Sequence, residues 1–117
     1  MVKFTMVKYV SLCKRFEIAY KDTTATNPGF WSKENPAYGH NDLVSLIVNQ
    51  RFDAQLYRTY INGTPYYFNT IEGEIVNATQ EKVSLSLENA EEIEPKELLK
   101  DASIRKRLKE FESRVGW

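Results

Sequence analysis

The 117-residue chain has one cysteine, Cys13, and one histidine, His40. A single thiol cannot close a disulfide within the chain, and one thiol with one imidazole cannot complete a structural zinc site. A nucleophile–base pair would have to use His40, in the run "YGHND". Spacing supplies neither an aligned nucleophile nor an orienting group, so His40 reads as a loop residue ahead of a helix and Cys13 as a small buried side chain. The five glycines, Gly29, Gly39, Gly63, Gly73 and Gly116, are scattered, and no loop gathers them to cradle phosphate. No apolar run approaches the ~20 residues of a membrane span. Lys3, Lys8 and Lys14 interrupt the stretch that a signal peptide would keep apolar. These shortages predict a cytoplasmic protein with no catalytic residues, no metal, no cofactor and no membrane partner: not an enzyme.

Charge of one sign is lacking too, with 16 Lys and Arg against 16 Asp and Glu. A protein driven onto nucleic acid by phosphate neutralisation usually carries a basic excess. Here the excess is local. Residues 1–21 hold five Lys/Arg against one Glu, residues 72–94 seven Glu against one Lys, and residues 95–117 seven Lys/Arg against four Asp/Glu. The acidic stretch of Glu88, Glu91, Glu92 and Glu94 reads as a solvated loop, and Arg105-Lys106-Arg107 with Lys109 as the polar side of a helix. What is abundant is aromatic: seven Tyr, six Phe and two Trp, 13% of a chain that is 42% hydrophobic. That composition suits a single globular domain over residues 1–117, with aromatics to spare for core or contact surface.

Along the chain, even-numbered apolar residues from Phe4 to Tyr20 alternate with polar odd ones, which predicts strand. Met6, Val10, Cys13, Phe16 and Tyr20 also fit a helical stripe, so strand and helix both stay open there. Residues 22–41 hold two of the four prolines and the aromatics Phe30, Trp31 and Tyr38, a long loop of the kind that often carries function. "NDLVSLIVNQRF" predicts a helix capped by Asn41 or Asp42, with Leu46 and Ile47 on its inner stripe. Residues 54–61 and 64–70 form a hairpin around Asn62-Gly63, because a two-residue type I′ turn needs positive φ twice. The second strand is expected to continue through "IEGEIV", bent at Gly73. "KVSLSLE" predicts a strand with Val83, Leu85 and Leu87 in the core. Pro95 suits a first helical position, and Asp101 a cap for a helix striped by Ile104, Leu108, Phe111 and Val115. That stripe predicts docking on the sheet or, in competition, a homodimer seam. The fold class is α+β: a small curved antiparallel sheet of about five strands, one internal helix and a C-terminal helix.

"EGEIVNATQEKVSLSLENAEEI" resembles the first motif of Sm-like RNA-binding barrels, a bent glycine-containing strand, a turn and an alternating strand. With the preceding helix the resemblance covers about residues 41–93 and implies a curved small sheet. The acidic residue and the Asn that contact RNA in that family would fall near Thr79 and Ser84, so neither is present. Helix-like sequence stands where the second motif would be.

Across Asn62-Gly63, Ile61 faces Thr64, Thr59 faces Tyr66, and Tyr57 faces Phe68; this uncharged face predicts core. The other face pairs Tyr60 with Pro65, Arg58 with Tyr67, and Leu56 with Asn69. Arg58, Tyr60 and Tyr67, with Trp31 from the loop, are the candidate contact residues, since Tyr, Trp and Arg anchor interfaces. The expected function is a non-enzymatic protein-binding module: a small regulator, inhibitor or adaptor. The alternative is binding of RNA or single-stranded nucleic acid, with bases stacked on the same aromatics and Arg58 on phosphate.

Overall fold

Asn62 and Gly63 adopt positive φ, 52° and 78°, and fold the chain back as their residue types allow. They join β1 (Gln55–Ile61) to β2 (Thr64–Ile71), in the register expected from the turn: Ile61 opposite Thr64, Arg58 opposite Tyr67, Leu56 opposite Asn69. This hairpin is the centre of an open four-stranded antiparallel sheet, ordered β3-β2-β1-β4, in the computed structural model, which describes residues 4–116. The edge strands are short: β3 is Glu74–Val76 and β4 is Glu91–Glu92. Four α-helices accompany them among the described residues: α1 (Met6–Ala19), α2 (Asn41–Phe52), α3 (Pro95–Leu99) and α4 (Ala102–Val115).

The α4 stripe is buried in full, and Phe111 at its middle is stacked between two rings of the first helix region. Its ring lies 5.8 Å from Phe16 and 5.8 Å from Tyr20, at interplanar angles of 23° and 20°. Asp101 caps α4 by accepting from the N–H groups of Ser103 and Ile104, as expected, and Pro95 opens α3. Two arginines fasten the far ends. Arg15 of α1 donates to the last carbonyls of α4, Val115 and Gly116, and Arg114 of α4 donates to Ala19 at the end of α1. Cations at both C-termini also meet the negative ends of the helix dipoles. The stripe is therefore occupied by helices of its own chain rather than by the sheet.

Four expectations from the sequence are corrected. The strand expected over the first twenty residues is α1, with residues 1–3 outside the described part. Helical spacing wins because Leu12, Cys13, Phe16, Ala19 and Tyr20 share one buried face, while Ile18, inward under alternation, is 82% exposed. Thr5 starts the helix by accepting from Lys8 N–H. Gly73 is no bend in a continuing strand. Glu72 and Gly73 both take positive φ, and the chain reverses so that Ile71 pairs with Glu74. "KVSLSLE" makes no strand: Val83 and Leu85 are half-buried and Leu87 is 41% exposed. Finally, without that strand the open sheet has four strands where about five were expected.

The two faces of the hairpin are both covered, by different things. The main core lies under Leu56, Asn69 and Ile71, where Leu46 and Ile47 of α2 are fully buried as expected. Phe68 is also fully buried, on the other face. There residues 77–90 cross the sheet, tied by Thr59 Oγ1 to Asn89 O at 2.9 Å and by the Tyr66 hydroxyl to Asn77, Thr79 and Glu81. Tyr57 and Ile61 are only half-buried on that face, with Tyr57 stacked on Phe68 at 5.7 Å.

A cleft beside the hairpin edge

β3 pairs with β2 only at Asn69–Ile71, which leaves the other end of that edge without a strand neighbour among the described residues. A two-residue turn closes on a hydrogen-bonded pair, so Pro65 and Tyr67 aim their backbone groups away from β1. Neither offers a donor there. Pro65 has no N–H, and Tyr67 N–H donates to Asn41 Oδ1 at 2.9 Å. Asn41 or Asp42 was expected to cap α2; both lie inside the helix, which His40 precedes, and the Asn41 side chain caps the sheet edge instead. What the edge keeps facing outward is carbonyl oxygen.

Along this edge runs a cleft of about 460 Å³. Its walls are Ile61, Pro65 and Tyr67 from the hairpin, Val83 from the crossing segment and Ile104 from α4, closed off by loop residues around Tyr38. The charged side chains in the lining are Asp42, Glu81, Asp101 and Arg107. Asp42 and Arg107 cancel one another, with Nη2 to Oδ2 at 2.6 Å and side chains 8% and 12% exposed. Arg107 also donates to Thr24 O at 3.1 Å. The Tyr66 hydroxyl donates to Glu81 Oε1 at 2.9 Å, and burial pushes this phenol up to about 12 despite hydrogen bonds from Thr79 and Asn77 that favour its anion. The cleft thus carries two carboxylates, Glu81 and Asp101, beyond its internal ion pair.

The candidate contact residues are not gathered at one point. Arg58 is held by Glu91 through Nε at 3.0 Å and Nη2 at 2.5 Å, and the guanidinium lies 6.0 Å from the Tyr60 ring centre. Donating those hydrogen bonds to Glu91 holds Arg58 above its ordinary range. Tyr60 is 57% exposed beside it. Tyr67 is half-buried against the helical core and lines the cleft; burial raises its hydroxyl, offset by the Arg58 hydrogen bond. Trp31 is half-buried, and its indole N–H donates to Pro36 O at 2.9 Å within the loop. Phe30 next to it is the loop aromatic that reaches solvent, 75% exposed.

His40 and Cys13 are both enclosed. His40 Nδ1 donates to Tyr38 O at 2.8 Å, so a neutral ring carries its proton there, and Nε2 lies at hydrogen-bond distance, 2.8 Å, from Thr24 Oγ1. Burial lowers the imidazole and raises the Cys13 thiol. With both ring nitrogens engaged, His40 is spent on structure. Among the described residues no group of three or more His, Cys, Asp or Glu is placed to hold a metal. No described helix is long and apolar enough to cross a membrane.

Sequence reasoning missed Arg107, read as part of a solvated basic run. Its signal was present: it stands three residues after Ile104 and four before Phe111, inside the buried stripe. Glu81 and Asn41 gave no comparable signal, because their roles depend on where the crossing segment and the hairpin edge come to lie. Neither a curated protein nor a solved structure matches the chain. A family model described as "YunG protein" matches residues 10–116, which is nearly the whole length, and the chain belongs to that family.

Proposed function

We propose that the chain is a non-enzymatic module that binds another protein, with the cleft beside the β2 edge as its docking site and Arg58 and Tyr60 next to it, cross-strand from its lining residues Tyr67 and Pro65. The cleft carries this reading. It is concave, combines apolar and aromatic walls with polar and charged groups, and falls within the about 300–1,000 Å³ usual for binding sites. The enclosure of His40 and Cys13 supports a binding role over acid–base or nucleophilic chemistry. The two carboxylates in the lining favour protein over nucleic acid, since phosphate would meet them with repulsion.

Affinity capture from the native host tests this, with nuclease-treated and untreated lysates and two baits. The wild-type chain should retain a protein that Val83→Trp, which fills the cleft, does not retain. Nuclease should make no difference. Equal capture by a folded Val83→Trp variant, or loss of all capture on nuclease treatment, would contradict the proposal.

A further inference from the structure

We infer that the cleft receives a lysine or arginine side chain of the partner protein, which deepens and rests on the protein-binding reading above. The hydrogen-bonding character of the edge points this way. Its outward donors are removed at Pro65 and taken by Asn41 at Tyr67, so an added strand could not complete a ladder there. What the edge offers is acceptors. Lysine and arginine have donors and no acceptor, which is the complement of such an edge.

The charges agree. Asp101 caps α4 through Oδ1 alone, at 2.8 and 3.3 Å from the N–H groups of Ser103 and Ile104. Glu81 receives the Tyr66 hydroxyl through Oε1 alone. The second oxygen of each carboxylate has no partner among the described residues. Arg107, the cation in the lining, is already neutralised by Asp42. Apolar walls at Ile61, Val83 and Ile104 suit the methylene stem of a long basic side chain, and Tyr67 lines the cleft beside them.

Fluorescence polarisation with labelled decapeptides tests the inference. Four peptides share one Gly-Ser-Leu scaffold and differ in a central pair: arginine, lysine, norleucine or glutamate. They are titrated against the full chain, against Glu81→Gln/Asp101→Asn, and against Val83→Trp. The amides keep the acceptor for Tyr66 and the helix cap while removing both charges. The arginine and lysine peptides should bind the wild type, weaken roughly tenfold in the double amide variant, and weaken further as salt rises. Should the double variant not fold, Glu81→Gln alone carries the comparison. Norleucine binding as tightly as arginine, and blocked by Val83→Trp, would overturn the cation inference while leaving protein binding standing. Butylguanidinium alone matching the arginine peptide would overturn the peptide as its source. No binding by any peptide would remove both readings together.

Discussion

His40 and the Asp42–Arg107 pair are where single residues have the largest expected effects. His40 is buried neutral, between the Tyr38 carbonyl and the Thr24 hydroxyl, with Asp42, Arg107 and Arg114 around it. Its folded pKa lies below the unfolded value of about 6.5, so the unfolded chain binds the extra proton first. Its contribution to stability is complete above about pH 6.5 and is lost as pH falls below that. Unfolding measured between pH 8 and 5 should show this decline, and His40→Gln should flatten it. A wild-type profile that stays level through that window would contradict the burial of a neutral imidazole. For the ion pair, removing one partner strands the other. Asp42→Asn should cost about 3 kcal/mol, the lower end for a buried pair since both side chains keep slight exposure. Chemical denaturation measures it, and a loss under 1 kcal/mol would mean that water reaches Arg107 freely.

At the scale of elements, helices α2 and α4 and the hairpin were legible in the sequence. Each is fixed by local signals: Asn62-Gly63 by backbone tolerance, Asp101 by its capping oxygen, the Ile104–Val115 stripe by its spacing. The first helix and the crossing segment were not. Residues 6–20 fit both periods, and the choice between them lies in Phe16 and Tyr20 meeting Phe111, almost a hundred residues away. "KVSLSLE" alternates cleanly, yet no sheet edge remains to receive it, and alternation cannot report the availability of a partner. The cleft was illegible for the same reason, being made where that segment passes the hairpin. These contrasts predict unequal costs. Phe111→Ala should lose ~3–5 kcal/mol, as large buried side chains do. Leu87→Ala should stay within about 0.5 kcal/mol, as surface substitutions do. Reversed magnitudes would put the strand back in the core. Because the α4 stripe is covered by its own chain, the melting temperature should not change over an about hundredfold dilution. A steady fall on dilution would instead show that α4 is shared between copies.

For the whole molecule, the account stands on the cleft being the surface that meets a partner. Apolar side chains are exposed elsewhere too, most strongly on α1 and in the long loop. Met6 and Val7 at the start of α1 are 64% and 80% exposed and Ile18 at its other end 82%, and Phe30 stands out from the long loop. A hollow of about 420 Å³ lies over Met6, Val7 and Val10, but neither place has the capped sheet edge or the two carboxylates of the cleft. Hydroxyl-radical footprinting of the chain, alone and bound to the protein captured from its host, distinguishes the three directly. Tyr38, Tyr67 and Ile104 should be protected, with Tyr60 beside them partly so, while Met6 and Phe30 react as in the free chain. Protection of Met6 or Phe30, with Tyr38 and Tyr67 unchanged, would contradict it.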